Sequence, residues 1–459
     1  MTNLFRQGVS MATLFQLVAE FFWLVVAGIA AIGFLGRIAT PTPADIAHWL
    51  MFAAVVVALN IGFGVYRTRV ALSDRLYVIR AVLAAAIGTV LAYLVAKLLP
   101  GGAVFEENLA IAAVFTVSGL FLLRHGVVLP LIGNMRPHRV LVLGTGMEAR
   151  MVEASLASAN PGVHLVGFFG LDKVEETAIA SHRIIDRNRS LEQAVRQFRI
   201  HEIIVAVHQQ RGGVLPLREL LDCRLNGVQV TDLPRFFERA MGVVPLESLK
   251  VSWLIYGSGY RQGWLRTSVK RVFDVLVALP LLVLALPVIA FFAAWIAIDS
   301  GGPIIFRQER VGLRGARINV LKFRSMTHDA EKDGKAEWAS PNDPRVTRVG
   351  RWMRRMRIDE LPQLINVLKG EMSFVGPRPE RPEFVAMLTQ QIPFYSVRHS
   401  IKPGITGWAQ VRYSYGATVE QAVRKLEYDL YYVKNHTLLL DLLILLETVR
   451  VVTLGEGAH

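Results

Sequence analysis

The chain has 459 residues, of which 53% are hydrophobic and only 19% charged, and it carries a formal charge of +14. The length allows two or three domains, and the composition is too apolar for an ordinary soluble protein of this size. The basic excess points to a cytoplasmic face turned toward anionic lipid or phosphorylated ligands. Nucleic acid is excluded as a partner because no zinc spacing, helix-turn-helix pattern or aromatic RNA-binding motif accompanies the charge.

Four apolar runs fill the first third, near residues 11–35, 46–66, 78–99 and 108–130. Each is close to the ~20 residues that cross a bilayer as a helix. The first has no small-residue cleavage site and reads as a retained span. Arg67, Arg69, Arg75 and Arg80 separate the second run from the third. Glu106 and Glu107, with Lys97 at the edge, separate the third from the fourth, and Arg124, Arg136 and Arg139 follow. The positive-inside rule then puts the N-terminus, the second loop and everything after the fourth span in the cytoplasm. Residues 1–135 are therefore expected to form a four-helix transmembrane bundle.

Residues 136–250 change character. Arg139 to Leu143 reads as a buried strand, followed by Gly144-Thr145-Gly146-Met147-Glu148-Ala149 and a helix from Glu148 to Ser158. Strands follow at Val163–Phe169, leading to Asp172, and at Ile203–Val207. Alternating strands and helices predict a parallel, Rossmann-like α/β module. The G-x-G-x-x-A run admits two readings. One is a nucleotide held by Gly144 and Gly146, with Asp172 on a ribose hydroxyl, which would make a membrane-tethered nucleotide-sugar oxidoreductase the rival function. The other is a tight glycine turn that binds nothing, favoured by the lack of a Tyr-x-x-x-Lys pair. Cys223 is the single cysteine, which excludes an intrachain disulfide and a multi-cysteine metal site.

A fifth apolar run, Val272 to Ile298, has Lys270 and Arg271 before it and Arg307, Arg310, Arg314 and Arg317 after it. Both flanks are basic, so both are expected on the cytoplasmic side. Pro280 and Pro287 each remove a backbone hydrogen bond. The consistent expectation is a re-entrant helix over 270–299 that enters the inner leaflet, bends and returns.

Residues 357–379, Arg-Ile-Asp-Glu-Leu-Pro-Gln-Leu-Ile-Asn-Val-Leu-Lys-Gly-Glu-Met-Ser-Phe-Val-Gly-Pro-Arg-Pro, are the most informative stretch. Leu361, Leu364, Ile365 and Leu368 predict one apolar helical face, and Gly370 suits its stop. Asp359 and Glu360 are then expected at the helix N-terminus, where unpaired N–H groups keep a carboxylate ionised. That suits a nucleophile toward phosphorus or a ligand for a hard cation, although ordinary helix capping uses the same residues. The tail, His436 to Leu454, reads as an interfacial or a core helix, too charged to cross.

This stretch resembles the signature of the bacterial sugar transferase family, the polyprenyl-phosphate hexose-1-phosphate transferases. The blocks at residues 270–274, 320–326, 402–411 and 428–435 resemble the family's other motifs in the same order, so the resemblance covers roughly 265–455. It implies a C-terminal, α-rich catalytic domain over 251–459 and, with the N-terminal half, the long form of the family. It implies transfer of a sugar 1-phosphate from a UDP-sugar, with UDP-glucose and UDP-galactose the leading expectations, to undecaprenyl phosphate with release of UMP. It also implies a setting in the bacterial inner membrane and a homodimer. Asp359 would be the nucleophile, Glu360 with Asp359 would hold Mg²⁺, and Arg354 and Arg378 would touch phosphates. Lys270 and Arg271 would meet lipid head groups, and Lys322 and Arg324 would line the nucleotide or phosphate cleft. Trp408 is left between base stacking and core packing, and Asp274 is read as structural. Two departures stand out. Leu286 occupies the position of the family's helix-breaking serine, and Tyr413, Tyr415 and Gly416 replace an Asn-Gly-Arg-type run.

Overall fold

The computed structural model describes residues 18–27, 43–62, 82–91, 117–123, 138–159, 163–171, 177–185, 190–207, 215–247, 263–327, 345–413 and 418–454, with a few single positions beside them. The charged loops behind the expected topology, at 67–80, 97–107 and 124–136, lie outside the described residues, as do Asp172, Tyr415 and Gly416. The chain divides into two compact units, Met1–Met241 and Gly242–His459.

In the first unit the helix Pro43–Gly62 is joined by the shorter apolar helices Val18–Ala27 and Val82–Leu91 and a helical segment at 117–123. Small residues let these segments approach closely: the Trp23 indole occupies the space a β-carbon would take at Gly119, and Val56 does the same at Gly88.

The same unit holds a four-stranded parallel sheet in the order β2-β1-β3-β4, built from β1 (His138–Leu143), β2 (Val163–Phe169), β3 (Glu202–Val205) and β4 (Gln229–Asp232). Leu141, Leu143, Ile203 and Val205 are buried because α1 (Met147–Ala159), α2 (Leu191–Phe198), α3 (Leu217–Leu225) and α4 (Leu233–Met241) accompany the strands. Gly144 has φ +122°, and a β-carbon there would come 2.3 Å from the Ala206 carbonyl oxygen. Its N–H donates to the Phe169 carbonyl at 2.9 Å. The first glycine of the motif is thus required by strand-to-strand closeness, and its amide is spent inside the sheet.

The second unit starts earlier than composition implied. Residues 242–249, expected to end the middle module, pack into the catalytic core instead. Val244 is fully buried among Trp408, Tyr431 and Leu430. The Val244 and Leu246 amides donate to the Glu427 carbonyl and carboxylate, and Gly242 accepts from the Trp408 indole at 2.7 Å. Trp408, buried, stacked on Tyr431 and with the Arg412 guanidinium 4.3 Å from its ring centroid, is therefore a core residue rather than a platform for a base.

A 37-residue helix, α5 (Trp264–Ser300), contains both Pro280 and Pro287. Among the described residues it is the one helix long and apolar enough to cross a membrane. Asp274, Ala278, Ala285, Phe292 and Ile296 form its buried stripe, while Leu276, Leu284, Phe291 and Ile298 are 59–85% exposed on the other side. Its buried side packs on the antiparallel hairpin β5 (Ile305–Val311) and β6 (Arg317–Phe323), on α6 (Arg348–Arg355) and on α7 (Gln363–Lys369). The remaining body comprises the parallel pair β7 (Ser373–Val375) and β8 (Gly404–Thr406), with α8 (Pro382–Gln391), α9 (Trp408–Arg412), α10 (Val419–Asn435) and α11 (Leu438–Leu454).

Three basic residues expected at lipid or phosphate make structural ties within the unit. Lys270 is mostly buried between Asp441 at 2.7 Å and Asp274 at 3.2 Å. Arg271 donates to the carbonyls of Val367 and Leu368, capping the last turn of α7. Arg324 is buried and donates to the carbonyls of Gly301 and Gly302 just past α5. Asp274, read as structural, also accepts from Ser373 and from the Phe374 amide, both at 3.0 Å. The tail helix α11 has one packed face, with Leu440, Asp441 and Ile444 buried, and exposed leucines at 439 and 442.

Candidate active site

The acidic pair does not sit on the first turn of α7. Arg357 adopts a left-handed conformation (φ 56°), and Ile358–Glu360 then form a separate 3₁₀ turn between α6 and α7. α7 itself begins only at Gln363, after Pro362. Its buried face is also rotated from the expected one: Ile365 is exposed and Val367 fully buried. Asn366 turns inward because its amide group is fully used, accepting from the Leu321 N–H and donating to the Asn319 carbonyl and the Glu371 carboxylate.

Asp359 and Glu360 are both 8% exposed. Cations from three elements surround them. Arg378, in the turn after β7, donates to Glu360 Oε1 at 3.0 Å. Lys322 on β6 lies 3.6 Å from the same oxygen, and Arg357 lies 3.6 Å from Oε2. Arg354, in the last turn of α6, donates from Nε to Ser325 Oγ at 3.1 Å and acts electrostatically on Asp359. The structure thus brings Asp359, Glu360, Arg354, Arg378 and Lys322 together, and leaves Lys270, Arg271 and Arg324 outside the cluster. Sequence reasoning gave no role to Arg357 or Ser325, although both stand inside quoted motifs.

The electrostatics divide the pair. Burial, reinforced by the neighbouring Glu360 charge, raises Asp359 from the usual aspartate range to about 6, against the pull of Lys322, Arg354 and Arg378. Burial also opposes ionisation of Glu360, but Arg378, Lys322 and Arg357 outweigh it and lower that group to about 2. Helix-tip stabilisation, expected to keep a carboxylate here ionised at neutral pH, is outweighed by desolvation as the main influence on Asp359, because the 3₁₀ turn offers no row of free N–H groups. A group near 6 is still mostly ionised at pH 7. Burial, with Arg378 beside it, likewise holds Lys322 below the ordinary lysine range.

Among the described residues none hydrogen-bonds or pairs with the Asp359 carboxylate, so its oxygens are available to an incoming atom. The arrangement is a buried carboxylate beside a neutralised one, rimmed by fixed positive charge. That is what an electrophilic phosphorus with several anionic oxygens requires.

A family model described as Bacterial sugar transferase matches residues 265–455. A UDP-glucose:undecaprenyl-phosphate glucose-1-phosphate transferase of Caulobacter vibrioides is 43% identical over 192 residues, 41% of this chain and 72% of that protein. The chain belongs to the bacterial sugar transferase family. A UDP-N-acetylgalactosamine-undecaprenyl-phosphate N-acetylgalactosaminephosphotransferase of Aeromonas hydrophila is 41% identical over 242 residues, 53% of this chain. The chain spans 56% of the length of that relative. A UDP-glucose:undecaprenyl-phosphate glucose-1-phosphate transferase of Xanthomonas campestris pv. campestris is 33% identical over 324 residues, 68% of this chain and 66% of the relative. That alignment is longer than the transferase region, so the likeness reaches into the N-terminal half. This sugar transferase is membrane-associated like its family, and α5 is the helix suited to a bilayer.

Proposed function

We propose that this sugar transferase moves a hexose 1-phosphate from a UDP-sugar to undecaprenyl phosphate through a covalent aspartyl intermediate, and so starts a lipid-linked polysaccharide unit. The observation that carries the reading is the unpartnered, buried Asp359 carboxylate beside Glu360 and four cations, Lys322, Arg354, Arg357 and Arg378. The names of the relatives support the substrates.

In the first half-reaction an Asp359 oxygen attacks the phosphorus that bears the sugar. The new bond is an acyl phosphate, the broken bond is the phosphoanhydride to UMP, and UMP leaves with the electron pair. In the second half-reaction the lipid phosphate oxygen attacks the same phosphorus, and Asp359 departs as a carboxylate. One reactive phosphate bond replaces another at each step, so no separate energy source is consumed. Because Asp359 titrates near 6, it is ionised at neutral pH yet more basic than a solvated aspartate, which favours attack. Arg378 and Arg354 would grip the diphosphate oxygens. Prolines on both sides of Arg378 stiffen it, and arginine binds phosphate bidentately.

The donor set also fits Mg²⁺. Magnesium takes one or two carboxylates plus substrate phosphates and water. The described residues hold no cluster of three or more acidic, histidine or cysteine ligands, but they do present this adjacent carboxylate pair. Asp359 and Glu360 would hold the ion, which supplies charge neutralisation on the diphosphate when bound.

The membrane reading places α5 as a re-entrant helix in the inner leaflet of the bacterial inner membrane, with the catalytic unit on the cytoplasmic face. It is supported by the ties at both ends of the helix: Arg271 to α7 at one end, and Arg324 to Gly301 and Gly302 at the other. Both ties lead to one catalytic unit, which supports placing both ends on one side of the bilayer. The outer face of α6, with Arg348, Arg351, Trp352, Arg355 and Met356 exposed, has the mixed basic and apolar character of an interfacial helix. In the first unit, we read the apolar helices as the four-span bundle and the parallel sheet as the Rossmann-like module, with Gly144 structural.

UDP-glucose and UDP-galactose are the proposed donors, and UDP-N-acetylgalactosamine joins the test because the Aeromonas relative carries that name. The test is UMP release from this panel in single turnover, without and then with lipid acceptor, followed by intact-mass measurement. Burst release of UMP without acceptor, with a hexosyl-phosphate adduct on Asp359, supports the reading. Product formation with no adduct at any time rejects it.

A further inference from the structure

We infer that Arg398 is a positioning residue that fixes Arg378 through its backbone, an inference that rests on the reading of Arg378 as a phosphate-gripping group. The turn that carries Arg378 is tied at four successive backbone groups. The Gly376 N–H donates to the Thr406 carbonyl and the Gly404 N–H to the Pro377 carbonyl, both at 2.9 Å. Arg398 Nη2 donates to the Arg378 carbonyl at 2.9 Å, and Arg310 Nη1 to the Pro379 carbonyl at 3.2 Å.

The third tie differs from the others. Arg398 is 6% exposed, yet it carries a full charge. Its guanidinium faces Asp429 at 2.7 Å, donates from Nη1 to the Tyr395 hydroxyl at 2.8 Å, and lies over that ring at 5.2 Å. Asp429 is 2% exposed and comes from α10, a separate element. A buried ion pair of this kind adds little to stability over apolar residues of the same shape, because desolvation offsets the attraction. What it adds is geometry. The ring of Pro379 restricts Arg378 to extended conformations, and the prolines fix their own φ angles. The direction of the Arg378 carbonyl is the remaining backbone freedom at that residue, and the Arg398 hydrogen bond sets it. With the carbonyl set, the Arg378 side chain projects to Glu360 at 3.0 Å, beside the Asp359 oxygens.

A purely structural role predicts lost stability and nothing particular to Arg378, so the test is a double-mutant cycle on the full-length protein in lipid nanodiscs. The variants are Arg398→Lys and the paired Arg398→Met/Asp429→Leu, each made in the parent and in an Arg378→Ala background. The readouts are single-turnover UMP release and thermal melting. The paired change buries no unpaired charge, so its melting temperature should stay near the parent's. The expected result is a loss of about 100-fold in UMP release, the size that follows from a displacement of about 1 Å in a positioning group. In the Arg378→Ala background the same changes should cause no further loss. Should the paired variant not fold, Arg398→Lys is read the same way, since a lysine can meet Asp429 but cannot also span Tyr395 and the Arg378 carbonyl.

Equal fold-losses in both backgrounds would overturn the inference, as would a folded variant within threefold of the parent rate. If Arg378→Ala itself keeps the parent rate, the reading of Arg378 falls and this inference falls with it. If Arg378→Ala is slow while the paired variant is fast, only this inference fails.

Discussion

Asp359 and Glu360 are neighbours in sequence and equally buried, yet the fold drives their acidities apart, Asp359 up to about 6 and Glu360 down to about 2. The cause is position. Glu360 faces Arg378, Lys322 and Arg357 within 3.0–3.6 Å, whereas Asp359 meets those charges only at longer range and feels Glu360 as a like charge. In the proposed mechanism this separation divides the roles: Glu360 holds the cationic frame and Asp359 reacts.

The pH dependence follows directly. In the proposed mechanism the attacking form of Asp359 is the carboxylate, so the rate of UMP release should be level above pH 7 and fall through a single ionisation near pH 6. About a tenfold drop is expected for each further pH unit below it. Glu360→Gln removes the like charge and should move that midpoint to lower pH, while also weakening the dependence on Mg²⁺. A midpoint that stays at or rises above the parent's would show that Glu360 does not raise Asp359.

Asp359→Asn should abolish UMP release and the adduct, and should also stabilise the fold. A carboxyl whose folded-state pKa is raised binds its proton more tightly folded than unfolded, so the ionised form penalises folding above pH 6. The penalty shrinks as pH falls through about 6 and vanishes below the ordinary aspartate range. The gain in the Asn variant should therefore be full at pH 8, on the order of 2 kcal/mol, and close to nothing at pH 4. Thermal melts of the two proteins across that range test it, and a gain that does not shrink on acidification contradicts the assigned cause.

Much of this site was legible in the residues. The Asp359-Glu360 pair, Arg354, Arg378 and Lys322 do converge, because the blocks that carry them are short rigid pieces: the end of α6, a 3₁₀ turn, the end of β6 and a proline-flanked turn. The residues that lie outside the cluster share a cause. Lys270, Arg271 and Arg324 sit in the same motifs but find carboxylate or carbonyl acceptors elsewhere in the fold, and no local pattern reveals a carbonyl nearly a hundred residues away at Val367. In the sequence the apolar face of α7 is read from Leu361, Leu364, Ile365 and Leu368 alone; the hydrogen bonds of Asn366 to Leu321, Asn319 and Glu371, which hold that residue inward, leave no mark in the spacing. The sequence alone assigns residues 242–249 to the middle module because a segment with no periodicity gives no sign of what it packs against, here the Glu427 end of α10.

Arg324 separates the two kinds of basic residue experimentally. If it gripped phosphate, Arg324→Gln would raise the KM for the UDP-sugar. As a clamp on the Gly301 and Gly302 carbonyls it should leave that KM unchanged and lower stability by about 2 kcal/mol, the loss expected for buried hydrogen bonds to a charged donor. Steady-state kinetics and a melt on the same preparation distinguish the two outcomes.

The placement of α5 makes the last prediction. The buried Cys223 is first replaced by serine, giving a background without reactive thiols. Single cysteines then go to Leu265 and Ile298, which are 61% and 85% exposed near the two ends of the helix. A helix of this length laid straight would span roughly 50 Å, more than the hydrocarbon core of a bilayer, so length alone permits a full crossing. The ties argue otherwise: Arg271 and Arg324 fasten the two ends to α7 and β6, and the Leu321 amide on β6 is itself bonded to Asn366 on α7. A crossing helix would have to break one of those ties or carry charged protein through the membrane. A membrane-impermeant maleimide should therefore label both cysteines from the cytoplasmic face of inverted vesicles and neither from the outside of intact cells. Labelling of the two sites from opposite faces would show that α5 spans the bilayer.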